Sequence, residues 1–548
     1  MADGAAPATT GTNPLQTEAL QRLQDARREK STINIDLVAC YYMAAARRFR
    51  QMQSQSQSAP QKPGDDRDLQ TSFGYEVVDD FMSMLMETFT PREGWWAERR
   101  LPSNPDEEGA EDPEVLALNK LIKAEDKRIF DLIRSSNYYA EKAKAGVPDA
   151  AIGVIGLMID DPGRATPIRV TGIPIRELDM DLGPDGRPDF RSVTRQTKYR
   201  HLAALLGKAV YEKMAITQNE IAKKVREKPN EPCEVVWAWW RNWENFGDFE
   251  YAHVVMVDSK LIHDATLKGE GSLPCVIGRF GATPDFAWPD GPLVKSIADL
   301  VQLDELRGAL IENVGFTLKP PKAYEDDGVI NIPPDGIRDG DLLPKRPSGG
   351  KNAFEDIYTP RPLDAGLFEV DHLISRIRRM HYVDFPEQRG KTPPTATQWI
   401  DELVIRQRRI GTQGYAFWRE EPYETFQRFR YLGEQRGVVR RLSTIEGIPS
   451  DAALQPYNPA ERAQDSQDIA TAVRFAEIGM QIAPTMWQVM VDEEKTLTNL
   501  QSKFRDEIVA LRPQEQVEAR IKLLASLGAE VMANGGPQGG GAGGAPPA

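Results

Sequence analysis

The chain has 548 residues, with 68 Lys and Arg against 82 Asp and Glu and a formal net charge of −14, which points to several domains and excludes a protein that clings to nucleic acid over its whole surface. Cys40, Cys233 and Cys275 form no CxxC pair and leave an odd number, so neither a disulfide framework nor a zinc site is indicated and a reducing compartment fits best. No apolar run approaches the roughly 20 residues that span a bilayer, and Met1 to Pro14 lacks a basic-then-apolar signal pattern, so the expectation is a soluble chain made in the cytoplasm, without a membrane partner.

Residues 14 to 55 read as helical, with Leu15, Leu20, Leu23, Leu37, Tyr41, Tyr42 and Phe49 among charges, before a polar linker from Gln51 to Asp66. Helical patterning returns at 74–90 and 113–146, separated by Pro91, Pro102, Pro105 and an acidic run around Glu107 to Glu111. From Ala151 the period shortens to that of strands. Candidates are Ile152 to Ile159, Ile168 to Pro174, Leu178 to Met180, Phe190 to Arg195, Glu234 to Trp240 and His253 to Asp258, with Gly183-Pro184-Asp185-Gly186 as a turn. An antiparallel sheet mixed with helices is the simplest reading to about residue 287.

After Gly291-Pro292, Leu293, Ile297, Leu300, Leu303, Leu306, Leu310 and Val314 recur every three or four positions, one stripe of a helix that stops at Lys319-Pro320-Pro321. A Pro- and Gly-rich stretch follows, and then a second stripe of Leu367, Val370, Leu373, Ile374, Ile377 and Met380. The two helices flank an irregular module in which Val329 to Ile332 reads as a short strand. A long aromatic helix comes next, with Trp399, Leu403, Ile410, Phe417, Trp418, Phe426 and Phe429 as core packing and Pro422 predicting a bend or break. Between His372 and Arg441 fourteen Lys or Arg stand against eight Asp or Glu, a local +6 in an acidic chain. About three further helices follow Gly447, and 534–548 is almost entirely Gly, Pro and Ala, which cannot bury a core.

The order of these parts resembles the portal, or head-to-tail connector, protein of short-tailed bacteriophages. The matching residues are Ile173-Pro174 through Gly186 to Arg195, Trp288 to Pro292 leading into the helix with Asp299, the Lys319-Pro320-Pro321 stop, Pro393-Pro394-Thr395-Ala396-Thr397-Gln398 before the long helix, and Arg406 within it. Gln398 stands where relatives often carry an acid, and Asp290-Gly291-Pro292 where many have a richer glycine cluster. The resemblance implies a mainly helical α+β portal-type fold. It also implies a closed ring of about twelve copies around a central channel.

On that template, 1–13 is a disordered N-terminus and 14–287 the wing. Residues 288–316 and 366–383 are stem helices, 317–365 the clip, 384–394 the channel loop, 395–446 the long wing helix, 447–533 a helical crown and 534–548 a disordered tail. The implied function is packaging and ejection of double-stranded DNA at the unique capsid vertex of the virion, after assembly in the host cytoplasm. Implied partners are the terminase large subunit, head-to-tail adaptor and tail proteins, the major capsid and scaffolding proteins, and DNA bound without sequence preference. No cofactor is implied.

A channel in which DNA slides wants few fixed phosphate contacts, because each neutralised phosphate adds affinity through counterion release. The expected channel-loop contacts are Gln388, Arg389 and Lys391; Arg376, Arg378 and Arg379 face the channel or a neighbouring subunit, or form only a solvated helix face. Inter-subunit salt bridges from these arginines to Asp299, Asp304, Glu305 and Glu312 are a further reading. Asp335, Asp339 and Asp341 do not match a calcium loop. The chain has no GxxxxGK[ST], HExxH or GxSxG motif, so a structural protein rather than the packaging ATPase or another enzyme is expected. The alternatives are another head-to-tail adaptor or tail ring protein, or a DNA-processing enzyme with a dispersed carboxylate site.

Overall fold

The computed structural model describes residues 13–46, 48, 69–99, 101, 113–163, 165–244, 249–325, 342–345, 354–356, 364–384, 396–442, 459–482 and 496. The chain divides into a compact unit reaching Ala460 and a second unit from Glu461. In the first, α1 (Pro14–Thr32) and α2 (Asn34–Ala44) precede α3 (Phe73–Phe89), α4 (Pro113–Ser135), α5 (Tyr138–Gly146) and the short α6 (Asp149–Ile152). Strands β1 (Val154–Asp160), β2 (Arg169–Ile173), β3 (Leu178–Leu182) and β4 (Pro188–Lys198) follow. Three helices, α7 (Leu202–Leu206), α8 (Lys208–Thr217) and α9 (Asn219–Glu227), then lead into β5 (Pro232–Arg241), β6 (Glu250–Val257), β7 (Lys260–Lys268) and β8 (Cys275–Arg279).

The β3-β4-β5-β6-β7 sheet is antiparallel throughout, and both of its faces are covered. Alternation along β5 explains why: Val236, Ala238 and Trp240 pack with Ala19, Leu23 and Ala26 of α1. Cys233 and Val235, of opposite parity, pack with Leu202, Met214 and Ile221 of α7, α8 and α9. A smaller antiparallel sheet, β2-β1-β8, lies within the main core together with α2, α3, α4 and α5. The expected strands are present; β7, β8 and the helices of 202–227 were not anticipated, because their apolar residues are interrupted by charges and glycines.

Beyond β8, α10 (Pro292–Leu318) and α11 (Asp364–Met380) form an antiparallel pair, with Asp299 opposite Arg376 and Leu310 against Gly366. Gly291 starts α10 because a Cβ there would meet the carbonyls of Ala151 and Ile152, and Pro292 supplies a preset φ at the first helical position. A third sheet of short strands, β9 (Lys322–Glu325), β10 (Leu342–Lys345) and β11 (Phe354–Asp356), lies between the two helices in sequence, β10 parallel and β11 antiparallel to β9. The strand expected at Val329 to Ile332 and the rejected calcium loop lie outside the described residues. The second unit is described by α13 (Pro459–Ile482) and Thr496. All three cysteines are buried and free, with thiols pushed up to about 12 by burial.

The long helix α12 (Ala396–Arg436) is continuous through Pro422, so the expected break does not occur. Packing on both sides of the proline holds it: Phe417, Trp418, Phe426 and Phe429 are buried, and so are Glu420, Glu421, Thr425 and Gln427. Glu421 Oε2 lies 2.5 Å from Lys142 Nζ, and Tyr138 donates its hydroxyl to Oε1 at 2.8 Å. Glu420 takes the Arg279 backbone N–H at 3.0 Å and its guanidinium at 2.5 Å. Arg191 grips Glu424 at 2.6 and 2.8 Å. Burial pushes Glu420 up against the pull of Arg279 and pushes Lys142 down against the pull of Glu421.

Removing one member of a fully buried pair leaves an uncompensated charge, which costs about 3 to 5 kcal/mol, whereas replacing both by apolar groups is often neutral. Glu421→Gln should therefore lower unfolding free energy by about 3 kcal/mol, and Lys142→Met with Glu421→Leu should recover most of it in urea titrations followed by tryptophan fluorescence.

At the end of α11, His381 is fully buried against Phe81, and its Nδ1 lies 3.0 Å from the Ile377 carbonyl. Burial pushes its pKa down to about 4 from 6.5. Because the folded value is depressed, this imidazole stabilises the fold above about pH 6.5, and the contribution is lost as pH falls through about 4. The lost contribution is roughly 3 kcal/mol. His381→Leu should flatten that segment of the stability profile; equal acid losses in parent and variant would contradict it.

Candidate functional site

The sequence places the arginine cluster and the basic loop at the end of α11, and the fold shows what surrounds that end. Arg376 Nε pairs with Asp299 Oδ2 of α10 at 3.0 Å. Arg378 pairs with Glu76 of α3 at 2.8 Å and stacks over Phe73, 5.5 Å from the ring centroid. Both partners lie within the same chain. Arg379 is exposed and has no ion pair among the described residues. Of the acids read as inter-subunit partners, Asp304 accepts the backbone N–H groups of Gln70 and Thr71 at 2.7 and 2.9 Å. Glu305 and Glu312 are exposed.

The chain leaves α11 through Tyr382, whose φ of +59° turns the backbone out of the helix. Tyr382 donates its hydroxyl to Gln413 of α12 at 2.9 Å. Two residues later Asp384 accepts two hydrogen bonds from Arg409 of α12, both 2.7 Å. The segment 385–395 therefore departs from a position tied to α12 by a polar and an ionic contact. Gln388, Arg389 and Lys391 lie outside the described residues. The Asp384–Arg409 pair carries no motif in the sequence; only the two ends of the excursion, 25 residues apart, mark it.

The α10/α11 pair changes character along its length. Near α6 it is core: Leu293, Leu300, Leu303, Val370, Leu373 and Ile377 are buried. Toward the β9 end apolar side chains come to the surface, with Ile311 55 %, Leu318 77 % and Phe368 73 % exposed, together with Val314 and Leu367 of the two stripes. Exposed apolar side chains grouped at one end of a hairpin are the usual mark of a protein contact surface. The stripe periodicity was legible in the sequence; the point at which the body stops covering it was not.

No helix among the described residues is long and apolar enough to cross a membrane. Comparison with curated protein sequences gives no significant match. A family model for the bacteriophage head to tail connecting protein matches residues 16–407, which include both sheets of the body, the whole α10/α11 hairpin, and the start of α12. The chain belongs to the bacteriophage head-to-tail connecting protein family.

Proposed function

We propose that copies of this chain close into a ring, of about twelve subunits, at one capsid vertex and form the channel through which double-stranded DNA enters and leaves. The observation that carries this reading is the apolar end of the α10/α11 hairpin, which the body of its own subunit leaves uncovered. A rotational neighbour covers such a surface in a closed ring, where the same patch is used in every copy. Membership of a family described as connecting bacteriophage head to tail supports a structural connector in the virion with capsid and tail partners.

In this arrangement 14–287 with 395–446 is the wing, 288–316 and 366–383 the stem, 317–365 the clip that docks the terminase large subunit and later the adaptor or tail proteins, and 447–533 the crown. The segment 384–394 lines the channel. Arg389 and Lys391, with the exposed Arg379, touch phosphates transiently, while Arg376 ties the two stem helices together through Asp299 and Arg378 holds the stem to the body through Glu76. Few cations and an acidic remainder keep DNA sliding, since fewer neutralised phosphates mean less affinity to overcome.

Replacing Val314 and Leu318 by Asp puts charge on the exposed apolar end, where the isolated subunit has nothing to lose. The variant should keep the parent's melting temperature as a monomer and fail to form rings in negative-stain images; intact rings would remove this surface from the interface. Deleting Gln388 to Lys391 should leave ring counts unchanged and reduce packaged DNA per particle. Loss of rings in that deletion would instead make the loop an assembly element.

A further inference from the structure

A cavity of about 190 Å³ opens where the starts of β4 and β6 and the end of β5 meet the middle of α12, far along the chain from the hairpin. At about 30 Å³ of liquid volume per water it has room for about six waters, or one amino-acid side chain with part of its backbone. One wall is Gln427 of α12, only 2 % exposed, with neither its amide nitrogen nor its amide oxygen hydrogen-bonded. The neighbouring Tyr423 gives its hydroxyl to Glu270 Oε1 at 2.9 Å, and its phenol oxygen feels the nearby Gln427 amide without forming a hydrogen bond of ordinary geometry with it. A buried amide with an unmet donor and an unmet acceptor is costly unless a partner arrives. Gly271 lets the opposite wall approach, since at φ +81° a Cβ would run into the Gln427 carbonyl.

The charges around the opening are not balanced once internal pairs are taken out. Glu424 is held by Arg191, Glu270 by Arg430 and Tyr423, and Asp189 by Arg22 at 3.9 Å. Arg187, Arg241 and Arg419 have no ion pair among the described residues, against a single such acid, Asp185. Arg241 is also preorganised: its guanidinium lies 4.4 Å from the Trp243 ring centroid and 4.9 Å from that of Phe249, with its Nε buried and unbonded. A planar guanidinium clamped between two rings presents its fork to a carboxylate at little entropic cost.

We propose that this cavity binds an acidic residue of a peptide segment of a partner protein, its carboxylate meeting Arg241 with Arg187 and Arg419 at the rim and its backbone amide meeting Gln427. The paired donor and acceptor of Gln427 match a peptide group. The surplus of unpaired guanidinium disfavours a basic side chain. The site is independent of the ring interface and of the channel loop, so its failure leaves the ring reading untouched.

The test uses the full-length protein and two fluorescein-labelled pentapeptide amides, Gly-Gly-Glu-Gly-Gly and its Gln counterpart, in low-salt fluorescence anisotropy. The Glu peptide should bind saturably and the Gln peptide at least tenfold more weakly. Arg241→Gln should weaken Glu-peptide binding at least tenfold. Gln427→Leu, which removes a buried unpaired amide and leaves every charge in place, should weaken it severalfold with no loss of melting temperature, as should Arg187→Gln on the half-exposed rim. Equal affinities for the two peptides, no saturable binding, insensitivity to Gln427→Leu, or displacement of the peptide by inorganic phosphate or oligothymidylate at lower concentration would each overturn the proposal.

Discussion

The pairing of three carboxylates on two successive turns of α12, Glu420, Glu421 and the partly buried Glu424, with Arg279, Lys142 and Arg191 is the constraint on which the first unit is organised. Each pair reaches a different element: β8, α5 and β4. Two of the three are almost completely shielded from water. Their net stabilisation is small, because desolvation offsets most of the attraction. The surrounding side chains supply the energy, at about 1.5 to 3 kcal/mol for each fully buried large apolar group such as Phe417 or Phe429. What the ion pairs contribute is register. A slide of α12 by one turn would keep much of its apolar contact and strand three buried charges, so only one alignment of helix and sheets is tolerated.

That alignment carries through to the hairpin. With α12 fixed, Gln413 and Arg409 stand where Tyr382 and Asp384 meet them, so the end of α11 and the departure of 385–395 are set by the same helix that holds the sheets. The start of α10 is fixed separately, by Gly291 lying on the α6 carbonyls. The two ends of the α10/α11 pair that touch the body are therefore both anchored, and its β9 end projects apolar surface. A connector needs this combination: a rigid body that defines the direction of a projecting hairpin, and a hairpin whose remaining apolar surface is finished by another copy.

The cavity beside α12 shows the same helix serving a second surface. Gln427 lies one turn beyond Glu424 and lines the cavity with both amide atoms unmet. The aromatic clamp on Arg241, Trp243 and Phe249, comes from residues flanking β5 and β6, strands that also carry Val236, Ala238, Trp240 and Val254 into the α1 core.

Several features follow from the residues alone. The α+β class, the strand-turn-strand through Gly183 to Gly186, both hairpin stripes, and the aromatic stripe of α12 were legible because apolar spacing is a local signal that survives into the fold. The resemblance to the connector family rested on the order of those elements, and the family match over residues 16–407 establishes membership. The sequence could not show that Arg376 and Arg378 are paired within the chain, since Asp299 and Glu76 are 77 and 302 residues away along the chain. Nor could it show that Pro422 sits in an unbroken helix, because local propensity argues for a break and only the buried neighbours on either side outweigh it. The aromatic stripe of α12 was read as core, but its acids gave no such signal: Glu420 and Glu421 became core, and Glu424 partly so, because their partners arrive from β8, α5 and β4, 141 to 279 residues upstream. Period and punctuation are written locally, whereas the pairing of a buried charge and the covering of an apolar stripe depend on which distant elements the tertiary structure brings alongside.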